Sequence, residues 1–290
     1  MGLRSKFNLA LLIAFVIGFG GTGVLLQRLF IANARDQVLQ DARIMMSSAD
    51  GVRKFTNDQV VPLATAQNAT HFIAASVPSF VAQTTFKTVQ AHFPDFTYRE
   101  PALNPTNPND RPADWERDLI NSFRNDSKLP ELVGERSTPT GPSLSLARPI
   151  AIDSQDCLSC HSTPAAAPAS LIATYGSANG FGWKLHEIVG AQIVSVPMAL
   201  PLAQAQRTFM TFMGILLAIF VLIAVILNIL LHYMVIRPVV TVSRIANAVS
   251  LGETDVEEYQ KKGSDEIAVL SASFNRMRRS LDSALTMLER

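Results

Sequence analysis

Two blocks of the chain lose the alternation of polar and apolar positions. From Phe7 to Gln27 and from Thr208 to Ile236 there is no Asp, Glu, Lys or Arg, and Leu, Ile, Val, Phe and Met fall on every face a helix would present. Each block is near the roughly 20 residues that an α-helix needs to cross hydrocarbon. They predict transmembrane helices over 7–30 and 208–236. A charge-free run of that length is costly to hide inside a small soluble domain. Arg4 and Lys6 before the first block, with Ala32-Asn33-Ala34 after it, also fit a cleaved signal peptide. The run is longer than a usual signal core, and helix-like sequence continues from Gln27 to Arg53 with no Pro and no Gly before Gly51. Both points favour a retained anchor.

Between the blocks the pattern changes repeatedly. Leu29, Ala32, Leu39, Ala42 and Met46 give residues 28–54 an intermittent apolar helix face. That regularity is predicted to end over Asn57 to Val61, before Pro62, and Thr70 to Gln90 reads as helical or mixed. Pro94, Pro101, Pro105, Pro108 and Pro112 then punctuate a loop-rich passage, with turn signals at Asn104-Pro105 and Asn107-Pro108. Trp115, Leu119, Ile120 and Phe123 mark a short helix over Asp114 to Phe123. After a glycine-rich turn from Gly176 to Gly182, the run Ile188 to Val196 reads as a strand. Its expected neighbours are Phe96 to Arg99 and Leu144 to Ala147. The expectation is a small mixed domain over 31–207, whose sheet order the pattern does not disclose.

Beyond the second block, Arg237-Pro238 opens an amphipathic helix carrying Val242, Ile245 and Val249. Leu251-Gly252 interrupts it, and a connector runs to Gly263-Ser264. A second helix starts at Asp265-Glu266, acidic where a helix N-terminus favours it. It carries Ile267, Leu270, Phe274, Met277, Leu281, Ala284 and Leu288 at alternating spacings of three and four. This is a coiled-coil seam. Two such short helices cannot bury their seams alone, so residues 237–290 are expected to form a parallel four-helix bundle in a homodimer. The fold class is α+β: a mixed domain between two transmembrane helices, followed by a helical relay.

Charge adds little. Lys and Arg number 25 against 24 Asp and Glu, a net charge of +1, and no zinc-finger spacing, phosphate loop or long basic tract occurs. Nothing therefore supports nucleic-acid binding. Arg4, Lys6, Arg237 and Arg244 favour cytoplasmic chain ends, although Arg28, Arg35 and Arg207 blunt the bias.

Chemistry concentrates in one motif. The only cysteines stand in Cys157-Leu158-Ser159-Cys160-His161, the C-x-x-C-H arrangement of a c-type haem attachment site. Two thiols separated by two residues can each add to one vinyl group, and the following histidine is placed to ligate iron. One covalent haem c is expected, with His161 as proximal ligand. Two cysteines cannot build a four-thiolate zinc site or a disulfide framework. A thioredoxin-like dithiol is the competing reading. It lacks a βαβ succession around the motif, and Ser162 to Ser170 reads as turn and loose wrap, not as a long helix. Haem of this type matures in the bacterial periplasm, which implies a two-pass inner-membrane protein with both termini cytoplasmic.

The sixth iron position stays open. His71, His92, His186, Met45, Met46 and Met198 are the imidazole and thioether groups of the central segment. Met45, Met46 and His71 are the candidates, beside an open site. Met45 and Met46 read first as packing residues, and His71 as an ordinary partly exposed histidine. Arg148 is a candidate partner for a haem propionate, or a plain surface arginine.

Residues 237–290 resemble the HAMP signal-relay domain, with Pro238 at its early proline and Asp265-Glu266 at its acidic second-helix start. The central segment, over about 35–200, resembles a bacterial extracytoplasmic c-type haem family often joined to histidine kinases. The resemblance lies in Asp50 to Thr56, Asn104 to Phe123 around Trp115-Glu116, and Arg148-Pro149-Ile150 leading to Cys157-Leu158-Ser159-Cys160-His161. It continues in Tyr175-Gly176 and from Gly180-Phe181-Gly182-Trp183-Lys184-Leu185 through Val196-Pro197. That family implies a PAS-like sheet wrapped by helices, and in some members an unusual distal ligand such as cysteine. Here both cysteines are taken by attachment, so that ligand is not carried over.

Together these features imply a haem-based redox or small-gas sensor, nitric oxide being one such gas, and not an enzyme. It would signal as a homodimer. No kinase, cyclase or chemotaxis domain follows Arg290, so the expected partner is a separate cytoplasmic output protein such as a histidine kinase or receptor. The alternative is a membrane-anchored monohaem c-type cytochrome acting as an electron carrier.

Overall fold

The computed structural model describes residues 2–68, 70–253 and 256–288. Thr254 and Asp255 of the expected connector, the side chain of the expected seam residue Leu288, and the last two residues of the expected relay lie outside the described residues. The chain divides into two compact units, one of residues 28–208 and one of residues 1–27 with 209–290.

The 28–208 unit is built on a four-stranded antiparallel sheet. Its strands are β1 (Thr97–Arg99), β2 (Leu132–Thr138), β3 (Gly141–Ala151) and β4 (Ile188–Pro197), in the order β1-β4-β3-β2. The three strands anticipated from the pattern are present and adjacent, with Tyr98 opposite Val194 and Leu146 opposite Val194 from the other side. Strand β2 was not anticipated. Its middle residues Gly134, Glu135 and Arg136 carry no apolar alternation because it is an edge strand, paired only to β3.

Side chains alternate across this sheet with a period of two. Leu144, Leu146, Val194 and Val196 point to one face, where Val38, Ala42, Met46 and Ala49 from α1 (Leu3–Phe55) close over them. Ala82 and Phe86 from α3 (Pro78–His92) complete that core. On the other face Ala147, Ala191 and Ile193 meet Ile120 and Phe123 of α4 (Asp114–Asn125). Helix α4 is capped by Glu116, whose carboxylate accepts from the Ala113 N–H at 2.8 Å.

Helix α1 is also tied down by polar groups. Tyr98 donates to Glu100 at 2.7 Å, and Arg53 donates to the other carboxylate oxygen. Glu100 is 4% exposed, so this pair is one whose breakage would leave a buried charge. Burial beside Glu100 pushes the Tyr98 phenol far above its usual range. Arg35–Glu135 and Arg43–Glu131 add ion pairs along the same helix. These are exposed enough to be worth little individually.

Pro62 does not end the helical path, contrary to expectation. A π turn at Thr56–Val60 follows α1, and α2 (Val61–Asn68) continues from it with Pro62 as its second residue. A π turn re-routes the backbone bonding just where proline would remove a donor and crowd the preceding turn. In the other unit a π turn at His232–Ile236 precedes α8 (Arg237–Ser250), with Pro238 again second. The two proline sites thus use one local solution.

In that second unit, Phe15 of α1 stacks on Phe220 of α7 (Ala199–Leu231), with ring centroids 3.6 Å apart. Leu9, Leu12, Ile13 and Val16 of α1 are exposed, as are Ile215, Ile219, Leu222 and Ile226 of α7. Helices this apolar on all sides and this exposed are membrane spans. The protein therefore has a two-pass topology, and the C-x-x-C-H motif puts the mixed domain between the spans on the periplasmic side. After α8, helix α9 (Glu266–Leu288) buries Ala268, Ser271 and Asn275. Ser271 and Asn275 both donate to the Tyr259 carbonyl, which docks the connector on α9.

Candidate haem site

The segment between β3 and β4 leaves the sheet as one long excursion, closed at its base where Ile152 N–H donates to Glu187 and His186 N–H donates back to Ile152. Ser154 starts helix α5 (Gln155–His161) by accepting from the Asp156 N–H at 3.1 Å. The short helix was not anticipated, yet it explains the motif. Cys157 and Cys160 are three residues apart and so share a face. Both are free thiols of intermediate exposure. The following chain forms a second unanticipated short helix, α6 (Ala169–Tyr175), before turning at Gly176.

His161 closes α5 and is held from three sides. Its ring stacks on Trp183 with centroids 4.1 Å apart and planes 17° from parallel. Its Nδ1 lies 2.8 Å from the Gly180 carbonyl and 3.4 Å from Thr106 Oγ1. A carbonyl can only accept, so Nδ1 carries the proton and Nε2 keeps its lone pair. Burial holds the imidazole pKa below its usual range, partly offset by the Gly180 hydrogen bond. A neutral ring with a free Nε2 is the form that binds metal.

Segment 101–106 reaches this ring from beside β4. Ala191 N–H donates to Pro101 and Leu103 N–H to Val189, both at 3.0 Å. The approach is close enough that a Cβ on Gly190 would lie 2.5 Å from the Pro101 oxygen. Asn104 then bonds the turn that carries Gly180. Asn104, Thr106 and Gly180 were not expected beside His161, because residues 77 positions apart, such as Asn104 and Phe181, leave no local signal of their contact. The local hints were the turn at Asn104-Pro105 and the glycine-rich turn from Gly176 to Gly182.

The donor set fits a haem. Among the described residues no three His, Cys, Asp or Glu side chains gather as a metal site. Cys157 and Cys160, on one helix face, would hold a haem by thioether bonds, and the adjacent, oriented His161 imidazole would ligate its iron.

The other expected site residues are not brought to His161 by any contact. Met46 is fully buried in the α1 core and Met45 packs against that core. Met198 is buried there as well. His71 is exposed, with Nδ1 3.1 Å from Thr70 Oγ1, and its neighbour Phe72 meets Tyr175 of α6 edge-on at 5.5 Å. His92 and His186 are exposed. Arg148, on β3, donates to Asp50 at 3.2 Å and to Glu131 at 3.4 Å.

The Tll0287-like family profile matches residues 31–197, more than half of the chain, and the HAMP domain profile matches residues 230–283. A solved structure, that of the cyanobacterial heme-protein Tll0287, is similar at 20% identity with a TM-score of 0.43, covering 55% of this chain and 94% of that one. No curated protein matches.

Proposed function

The chain belongs to the Tll0287-like family and carries a HAMP domain, and from that premise we propose that it is a haem-based redox or small-gas sensor. One haem c is attached through Cys157 and Cys160, with His161 as the proximal ligand. The observation that carries this reading is the His161 imidazole, tied through Nδ1 to the Gly180 carbonyl so that Nε2 keeps its lone pair for iron. Haem bound there supplies an iron that changes oxidation state or takes up a gas such as nitric oxide.

Of the three distal candidates, His71 is the one at the surface, whereas Met46 would have to leave a closed core. Arg148 would serve a propionate by giving up Asp50 or Glu131. Signalling would run through a homodimer to a separate cytoplasmic output protein such as a histidine kinase or receptor. In support, Leu270, Met277 and Leu281 of the seam are 46%, 62% and 48% exposed in one chain, an apolar stripe that a second copy would cover. A change in haem state worth a few kcal/mol suffices to bias a balanced bundle, with about 5.5 kcal/mol needed for a full reversal from 1:99 to 99:1.

The test is disulfide cross-linking in membranes with Phe274→Cys and, separately, Leu281→Cys in haem-loaded protein. Rates should differ between oxidised, reduced and nitric-oxide-exposed haem, and the difference should vanish in the Cys157→Ser/Cys160→Ser chain. Dimers that cross-link equally in every haem state would remove the sensor reading and leave the electron-carrier alternative.

A further inference from the structure

Asn104 sits where two peptide groups must be held at once. Its Oδ1 accepts from the Gly180 N–H at 3.2 Å, and its Nδ2 donates to the Phe181 carbonyl at 3.1 Å. An N–H can only donate and a carbonyl only accept, so the partners themselves fix which way the amide points. Between these two bonds lies the Gly180–Phe181 peptide, and its carbonyl is the one that receives the His161 Nδ1–H at 2.8 Å.

The space around that peptide is closed. Gly180 has φ +83, a conformation that favours glycine, and a Cβ there would lie 2.0 Å from Thr106 Oγ1 and 2.8 Å from Thr106 Cα. The second distance is to backbone, so relief would require moving the 104–106 segment that carries the amide. Segment 101–106 is itself pinned to β4 through Pro101 and Leu103. A chain of direct contacts therefore runs from the sheet through Asn104 to the Gly180 carbonyl and the His161 ring.

We infer that Asn104 is a positioning residue for the axial imidazole: it aims the Gly180 carbonyl at Nδ1, and so sets the donor strength of Nε2. This rests on His161 being the proximal ligand, as proposed above. The physical link is that an imidazole whose far N–H is hydrogen-bonded is a more basic ligand, and outer-shell partners tune both affinity and potential. A stronger donor favours ferric over ferrous iron. Weakening the clamp should shift the balance the other way. Trp183 has a separate part, since its ring lies against the imidazole face and not at its N–H.

The test uses full-length, haem-loaded protein in lipid nanodiscs, comparing the native chain with Asn104→Leu and Asn104→Asp. Leucine keeps the size and removes both bonds. Aspartate keeps an acceptor for the Gly180 N–H and loses the donor to Phe181. Covalent haem is read by mass, and ligand strength by reduction potential and by the ferric electron paramagnetic resonance spectrum. Attachment should persist in all three proteins. In Asn104→Leu the ferrous form should gain by up to about tenfold at a fixed ambient potential, equivalent to 59 mV for one electron. The resonance spectrum should move toward that of a weaker axial field, with Asn104→Asp shifting in the same direction by less. If the leucine variant does not accumulate, the aspartate variant decides. Native potential and spectrum in a variant that attaches haem would overturn the positioning role while leaving the ligand reading intact. A spectrum unchanged in His161→Ala would overturn the ligand reading itself, whatever Asn104 does.

Discussion

The periplasmic domain and the cytoplasmic relay both carry apolar residues at helical spacing, but only the first covers its own. Val38, Ala42 and Met46 of α1 are at most 1% exposed, sealed by Leu144, Leu146, Val194 and Val196 of the sheet. In α9 the seam residues Leu270, Met277 and Leu281 are left open and Ile267 and Phe274 half-buried, while the described residues buried within the chain are the off-seam Ala268, Ser271 and Asn275. Two of those three are polar, and their task is to hold the connector. Spacing thus tells which residues share a face. Whether the chain itself supplies the cover is a separate matter, decided by what folds back onto that face. The domain closes its own core, whereas the relay leaves part of its apolar seam uncovered within one chain.

The largest effect that tests this contrast is Leu144→Ala. A fully buried leucine at the centre of the sheet should cost about 2–5 kcal/mol on truncation, read as a lower denaturation midpoint for the haem-loaded protein. A loss below about 1 kcal/mol would mean that the face is not closed.

Next comes Met277→Ala in the relay. The chain's own unfolding should be almost unmoved, because the side chain is 62% exposed. Association between copies should weaken by about 1.5–3 kcal/mol for the side chain that is no longer buried across the interface. Energy transfer between labelled copies in nanodiscs measures this. Unfolding that tracks Met277→Ala as strongly as Leu144→Ala would erase the distinction between the regions.

The smallest effect lies inside the closed domain. Burial holds the Asp110 carboxyl above the usual range, with Glu100 adding to the rise and the Gln83 hydrogen bond opposing it. A carboxyl raised in the folded state contributes stability below its ordinary value of about 3.9 and loses it as pH climbs through the raised value. Asp110→Asn retains an acceptor for Gln83, now 2.9 Å from Oδ1, and removes that loss. It should stabilise at pH 7 by less than about 1 kcal/mol, since solvent screens a partly exposed group. The gain should disappear near pH 3. Equal gains at both values would show that charge is not the cause.

Several features were legible because one short stretch of sequence carries them. The two apolar blocks need only composition and length. The C-x-x-C-H motif needs five consecutive residues, and the α9 seam needs one helix. Strand β4 stood out because it is buried on both faces and reads Ile-Val-Gly-Ala-Gln-Ile-Val-Ser-Val. Other features were masked by local chemistry. Edge strand β2 lacks alternation, the π turn lets the helical path pass Pro62, and α5 and α6 are seven residues each, too short for periodicity to show.

By itself, then, the sequence determined that this chain crosses a membrane twice, that its thiols and His161 stand together in one C-x-x-C-H motif, and that its last helix carries a regular apolar seam. Each of these follows from residues close together, where covalent geometry already fixes their spacing. Only the tertiary structure decided that Met46 belongs to a core and that Arg148 is engaged by Asp50 and Glu131. It alone brought Asn104, Thr106 and Gly180 to the imidazole. Those contacts join segments far apart in the chain, and their pairing depends on how the sheet, its helices and the β3–β4 excursion pack, which no local pattern encodes.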